Sequence, residues 1–128
     1  TGVQTCALPI WRLQSVVDGM SALDRPEHPY VAEALGWLGR TELAAGDAPA
    51  AVTLLERALE LERQQFDDGH LSILDRELVL AEALAGAGRV AEAADLRESA
   101  GQAREEILEA WRQAFAERAD VFAALTAP

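Results

Sequence analysis

The sequence contains one cysteine, so no disulfide can form within a single chain and a disulfide scaffold is excluded. Aromatic residues make up only 5% of the chain, although apolar residues as a whole make up 50%. Ala and Leu dominate the apolar share, a blend suited to helices that approach closely across small side chains. Positive charge is also scarce. Eleven Lys and Arg stand against 22 Asp and Glu, giving a net charge of -11 and a pI near 4.5. Nucleic-acid phosphates and anionic lipid repel such a chain, so neither is expected as a partner. No apolar run approaches the ~18 residues needed to span a bilayer. The start of the chain lacks the basic, apolar and small-residue succession of a secretory signal, and a cytoplasmic location is the resulting expectation. There is no GKS or GKT, no GxSxG, no HExxH and no CxxC, so no cofactor is expected.

The 128 residues suffice for one small domain or a few stacked repeats. The first ten, TGVQTCALPI, read as the translation of a common short-read sequencing adapter. Residues 1–10 are therefore expected to be an artefact, with authentic protein beginning near Trp11 and an N-terminal part missing. On that expectation Cys6 carries no functional weight.

The clearest positive signal is an internal repeat. His28 and His70 lie 42 residues apart, and the same offset relates Leu38 to Leu80, Gly46 to Gly88, Ala51 to Ala93, Leu54 to Leu96 and Ala58 to Ala100. Periods of ~20–50 residues indicate solenoids or arrays. Each unit reads as two helices. Residues 30–45 carry Val31, Leu35, Leu38 and Leu43 near a 3.6-residue period, with Pro29 in the first turn, where a missing N–H costs nothing. Gly46-Asp47 breaks the chain, and 50–65 forms the second helix before a break at Asp67-Asp68-Gly69. The second unit follows the plan with 72–85, a Gly86-Ala87-Gly88 turn and a helix from Val90. The expected divisions are a trailing helix of a truncated repeat at 11–27, repeats at 28–69 and 70–104, and a capping helix and tail at 105–128. Ile107, Trp111, Phe115, Phe122 and Leu125 form a rough stripe on that last segment, which is expected to cover the open end of the stack.

The stretch HPYVAEALGWLGRTELAAGDAPAAVTLLERALELE resembles a tetratricopeptide repeat, in the 42-residue form found in kinesin light chains and many bacterial regulators. The resemblance rests on Leu38-Gly39, Gly46-Asp47, Ala51 and Ala58 at that family's spacing and covers roughly residues 12–104. It implies an all-α fold of antiparallel helix pairs stacked as a short right-handed solenoid. Gly39, Ala51 and Ala58 would lie where helices cross, and Gly46 would end its helix in the left-handed geometry glycine adopts readily. Arg97 and Glu42 depart from the pattern, standing where the family has large apolar groups.

The histidines are the obvious candidates for proton transfer, but their spacing makes them equivalent loop residues preceding equivalent helices. Asp67, Asp68, His70 and Asp75 match no Zn or Ca loop, and no metal is expected. No catalytic residues and no enzyme activity are expected within the chain. The resemblance instead implies a concave groove lined by the first helix of each unit. Its positions fall on Glu33, Gly36, Trp37, Arg40 and Leu43, then on Asp75, Leu78, Val79, Glu82 and Ala85. An apolar floor with a mostly acidic rim points to a basic or amphipathic protein segment rather than an acidic tail. The implied function is protein–protein interaction, as part of a larger bacterial regulator; similar arrays follow bacterial serine/threonine kinase domains. The alternative is a structural spacer, or self-association through the exposed N-terminal end around Val16 and Val17.

Overall fold

Helix starts and stops follow local chemistry at the ends of α2, α3 and α4. A computed structural model describes residues 10–23 and 25–126, and all its regular structure is helical. The helices are α1 (Ile10–Ala22), α2 (Pro29–Ala45), α3 (Ala48–Arg63), α4 (Leu71–Gly86) and α5 (Val90–Thr126). The adapter-like segment, apart from the backbone of Ile10, lies outside the described residues.

The two histidines do the same job 42 residues apart. His28 precedes α2 in an extended conformation, and its Nδ1 accepts from the backbone N–H of Tyr30 at 3.2 Å. His70 precedes α4 and accepts from the N–H of Ser72 at 3.2 Å. Each satisfies one of the N–H groups left without a partner at a helix start. Gly46 and Gly88 match in the same way, with φ of 89° and 87°. Asp47 N–H donates to the Glu42 carbonyl at 2.9 Å, and Arg89 N–H to that of Leu84 at 2.9 Å, closing the ends of α2 and α4 alike.

Connections of two to seven residues turn each helix back along its predecessor. Every helix packs on the next in sequence, and α2 also meets α4. Two apolar clusters result. Leu13 and Val17 of α1 join Val31, Leu35 and Leu38 of α2 and Ala58 and Leu61 of α3. On the other side of α3, Val52, Leu55 and Leu59 pack with Ile73, Leu80 and Leu84 of α4 and Ala93 of α5. The small positions work as expected: Ala51, Ala58 and Ala81 are fully buried, and Ala93 and Ala100 nearly so. At Gly39 an added Cβ would lie 2.7 Å from Leu55 Cγ, so glycine sets how closely α2 approaches α3.

No helix break marks the expected division at residue 105. Residues 90–126 form one helix of 37 residues. The boundary was placed where the apolar stripe from Ile107 to Leu125 begins. The chain there offers no Pro and no turn cluster, while Ala, Glu, Gln, Arg and Leu all favour continuation. The lone Gly101 is tolerated inside the helix. Burial on α5 ends at Ala100, partial burial extends to Leu108, and from Glu109 onward every described side chain is exposed. Among the described residues, no helix is long and apolar enough to cross a membrane.

Candidate functional site: the face shared by α2 and α4

The face of α2 opposite its core carries Glu33, Trp37 and Arg40, all exposed, at successive helical turns. Trp37 is 50% exposed, so about half of its side chain faces solvent. Its own helix holds it in place. The indole Nε1 donates to Glu33 Oε1 at 3.0 Å, and the Arg40 guanidinium lies 5.8 Å from the ring centroid. One edge of the indole is thus fixed, and half of its surface is left available.

Arg40, Leu43 and Ala44 of α2 face Val79 and Glu82 of α4 across a cleft of about 240 Å3. Four of the residues assigned to the groove from the sequence therefore line one depression. Leu43 and Val79 are half-buried against the core cluster beneath, and Arg40 and Glu82 stand exposed at the mouth. Leu78 is half-buried on α4 and is not part of this cleft. Asp75 is engaged elsewhere: Arg104 of α5 donates to its Oδ1 at 2.8 Å. That pair removes one carboxylate from the acidic rim. A larger depression of about 710 Å3 runs along α5 from Gln102 to Gln113, but a single helix lines it and no second element shapes it.

Gly36 proves to be space for a charge. A Cβ built there would run into the guanidinium of Arg76. Arg76 crosses from α4 to Glu62 of α3, its Nη2 donating to Oε1 at 2.6 Å and its Nε at 3.2 Å. Both side chains are nearly buried, at 11% and 6% exposure. Beside them Arg63 Nη2 donates to Glu77 Oε1 at 2.6 Å, so two ion pairs of opposite polarity stitch α3 to α4. At the expected groove position Gly36, the space beside the helix is thus taken by a neutralised guanidinium. The sequence did carry a signal for this pair. Glu62 falls one turn from buried Ala58 and Leu59, and Arg76 one turn from buried Ile73 and Leu80, so each charge sits on an apolar face.

At the α4–α5 turn, Arg89 is raised above its ordinary pKa, chiefly by its hydrogen bonds to Glu92, and Glu92 is lowered by the same contact. On α5, Glu109 is lowered and Arg112 raised, first of all by their mutual hydrogen bond. These four groups are solvent-exposed helix chemistry remote from the cleft. Among the described residues, no three His, Cys, Asp or Glu side chains converge as a metal site would require, and Asp67, Asp68 and His70 are exposed in a turn. The ring of His70 stacks on Phe66 at 4.4 Å between centroids, which helps hold the imidazole in its capping position.

No family model matches the chain, and neither a curated protein nor a solved structure does.

Proposed function

We propose that this chain is a tetratricopeptide-like protein-interaction module that holds an extended or helical protein segment on the α2–α4 face. The observation that carries this reading is the half-exposed Trp37, fixed at one edge and adjoining a cleft between two helices. An indole held in place by its own helix loses little conformational freedom on binding, and such aromatics dominate interface energetics. The matched histidine caps and glycine stops at a 42-residue spacing support the repeat reading. Glu33 and Glu82 at the mouth outweigh Arg40, which favours a basic or amphipathic segment over an acidic one.

The test is binding of peptides of opposite charge to the full chain, measured by titration calorimetry. A basic amphipathic peptide is expected to bind, and Trp37→Ala to weaken it by about 2 kcal/mol or more, roughly thirtyfold. Equal affinity for an acidic peptide of the same length, or binding indifferent to Trp37→Ala, refutes the groove assignment.

A further inference from the structure

The exposed half of α5 is organised for a second helix. Leu108, Trp111, Phe115, Arg118, Phe122 and Leu125 follow one another at intervals of three, four, three, four and three residues, the spacing of a coiled-coil seam. Trp111 is 52% exposed, Phe115 66% and Leu125 79%, so at those positions most of the seam faces solvent. Trp111, Ala114, Phe115 and Arg118 enclose a depression of about 320 Å3. Those four stand at i, i+3, i+4 and i+7, the set that forms the hole for one incoming knob in coiled-coil packing.

We propose that the segment of α5 beyond Leu108 is a self-association surface that pairs antiparallel with the same segment of a second copy. The seam is self-complementary in one register that uses all six positions. There Leu108 meets position 125 of the partner, Trp111 meets position 122, and Phe115 meets position 118. A two-fold axis between Ala116 and Glu117 generates the other three contacts, as a closed symmetric dimer requires. Arg118 selects the orientation. Parallel pairing sets it against its own copy, placing like charges inside the seam. Antiparallel pairing lays each guanidinium over Phe115 of the other chain and into the depression described above. Glu109, Glu117 and Asp120 fall outside the seam and oppose an anionic lipid surface as the occupant.

Sedimentation of the full chain over a wide concentration range tests the proposal. The wild type is expected to associate to twice the 13.8 kDa chain mass, and Phe115→Glu, at an exposed position, to stay monomeric with unchanged helicity. Orientation is read in a Cys6→Ser background. Mixed Leu108→Cys and Leu125→Cys chains are expected to cross-link, and Leu108→Cys alone is not. Three results overturn the proposal. A wild type that is monomeric throughout leaves the face to some other occupant. A dimer unaffected by Phe115→Glu is held elsewhere, such as the exposed side of α1. Self-cross-linking of Leu108→Cys shows parallel pairing.

Discussion

Removing Arg76 isolates a carboxylate that the fold has taken out of water. The Glu62 side chain is 6% exposed, and Arg76 is the cation that neutralises it, through a 2.6 Å bond from Nη2 and a 3.2 Å bond from Nε. Breaking a buried pair from one side typically costs 3–5 kcal/mol, because the remaining charge stays buried and unpaired. The guanidinium retains a little solvent contact, so Arg76→Met is expected to cost about 3 kcal/mol, at the lower end of that range. Met fills much of the same volume, which leaves charge rather than a cavity as the cause. With a urea m-value of about 1.5 kcal/mol/M, the unfolding midpoint followed by circular dichroism falls by about 2 M. Replacing both partners, as Glu62→Met with Arg76→Met, removes the buried charge altogether and is expected to recover most of the loss. Gly36 supplies an internal control. Gly→Ala inside a helix ordinarily stabilises by about 1 kcal/mol. Here Gly36→Ala is expected to destabilise the wild type, because its Cβ displaces the guanidinium, and to cost little once Arg76→Met is in place. A midpoint shift for Arg76→Met below about 0.3 M, or additive losses in the double variant, refutes the view that this pair holds α2, α3 and α4 in register.

Leu55→Ala empties a fully buried site between α3 and α4 and is expected to cost about 2–5 kcal/mol by the same denaturation assay. Gly46→Ala and Gly88→Ala place a side chain at φ near +90° and should each lose about 1–2 kcal/mol; a neutral effect at either site dissociates it from its helix-stop role. Glu92 is lowered in the folded chain by its hydrogen bonds from Arg89, so its stabilising share is present above the ordinary glutamate range and lost as pH falls below that range. Glu92→Gln should therefore flatten the acid limb of the stability profile slightly, and an unchanged limb argues against that contribution.

Most of the helical plan was legible because it is written in local chemistry. Gly46-Asp47, the Gly86–Gly88 turn and the two histidines each satisfy or break backbone hydrogen bonds within a few residues of themselves. The small residues at Gly39, Ala51 and Ala58 were legible because close approach admits few alternatives. For Glu62 and Arg76 the signal was only a charge on an apolar face; their pairing was not legible, since it joins residues from two helices and occupies space left by a third. It also has no counterpart at the 42-residue offset, where Met20 and Ala34 stand, so the repeat gave no hint of it. The long α5 was divided at residue 105 because its apolar stripe from Ile107 onward was read as a separate cap, although the residues there signal no turn. Of the expected groove, Arg40, Leu43, Val79 and Glu82 come together, and Asp75 is diverted by Arg104, a residue 29 positions away in sequence.

Because α3 contributes to both apolar clusters, neither half of the molecule can loosen without uncovering one of its faces. Linear arrays of repeats ordinarily fray from an end, each unit leaning only on its neighbours. Here α1 and the far half of α5 are the parts free to open on their own, while α3 lies between the two packed layers. Its amide protons should exchange only when the whole chain opens, and the first protons lost should be those of α1 and, at concentrations where the chain is a monomer, of α5 beyond Leu108.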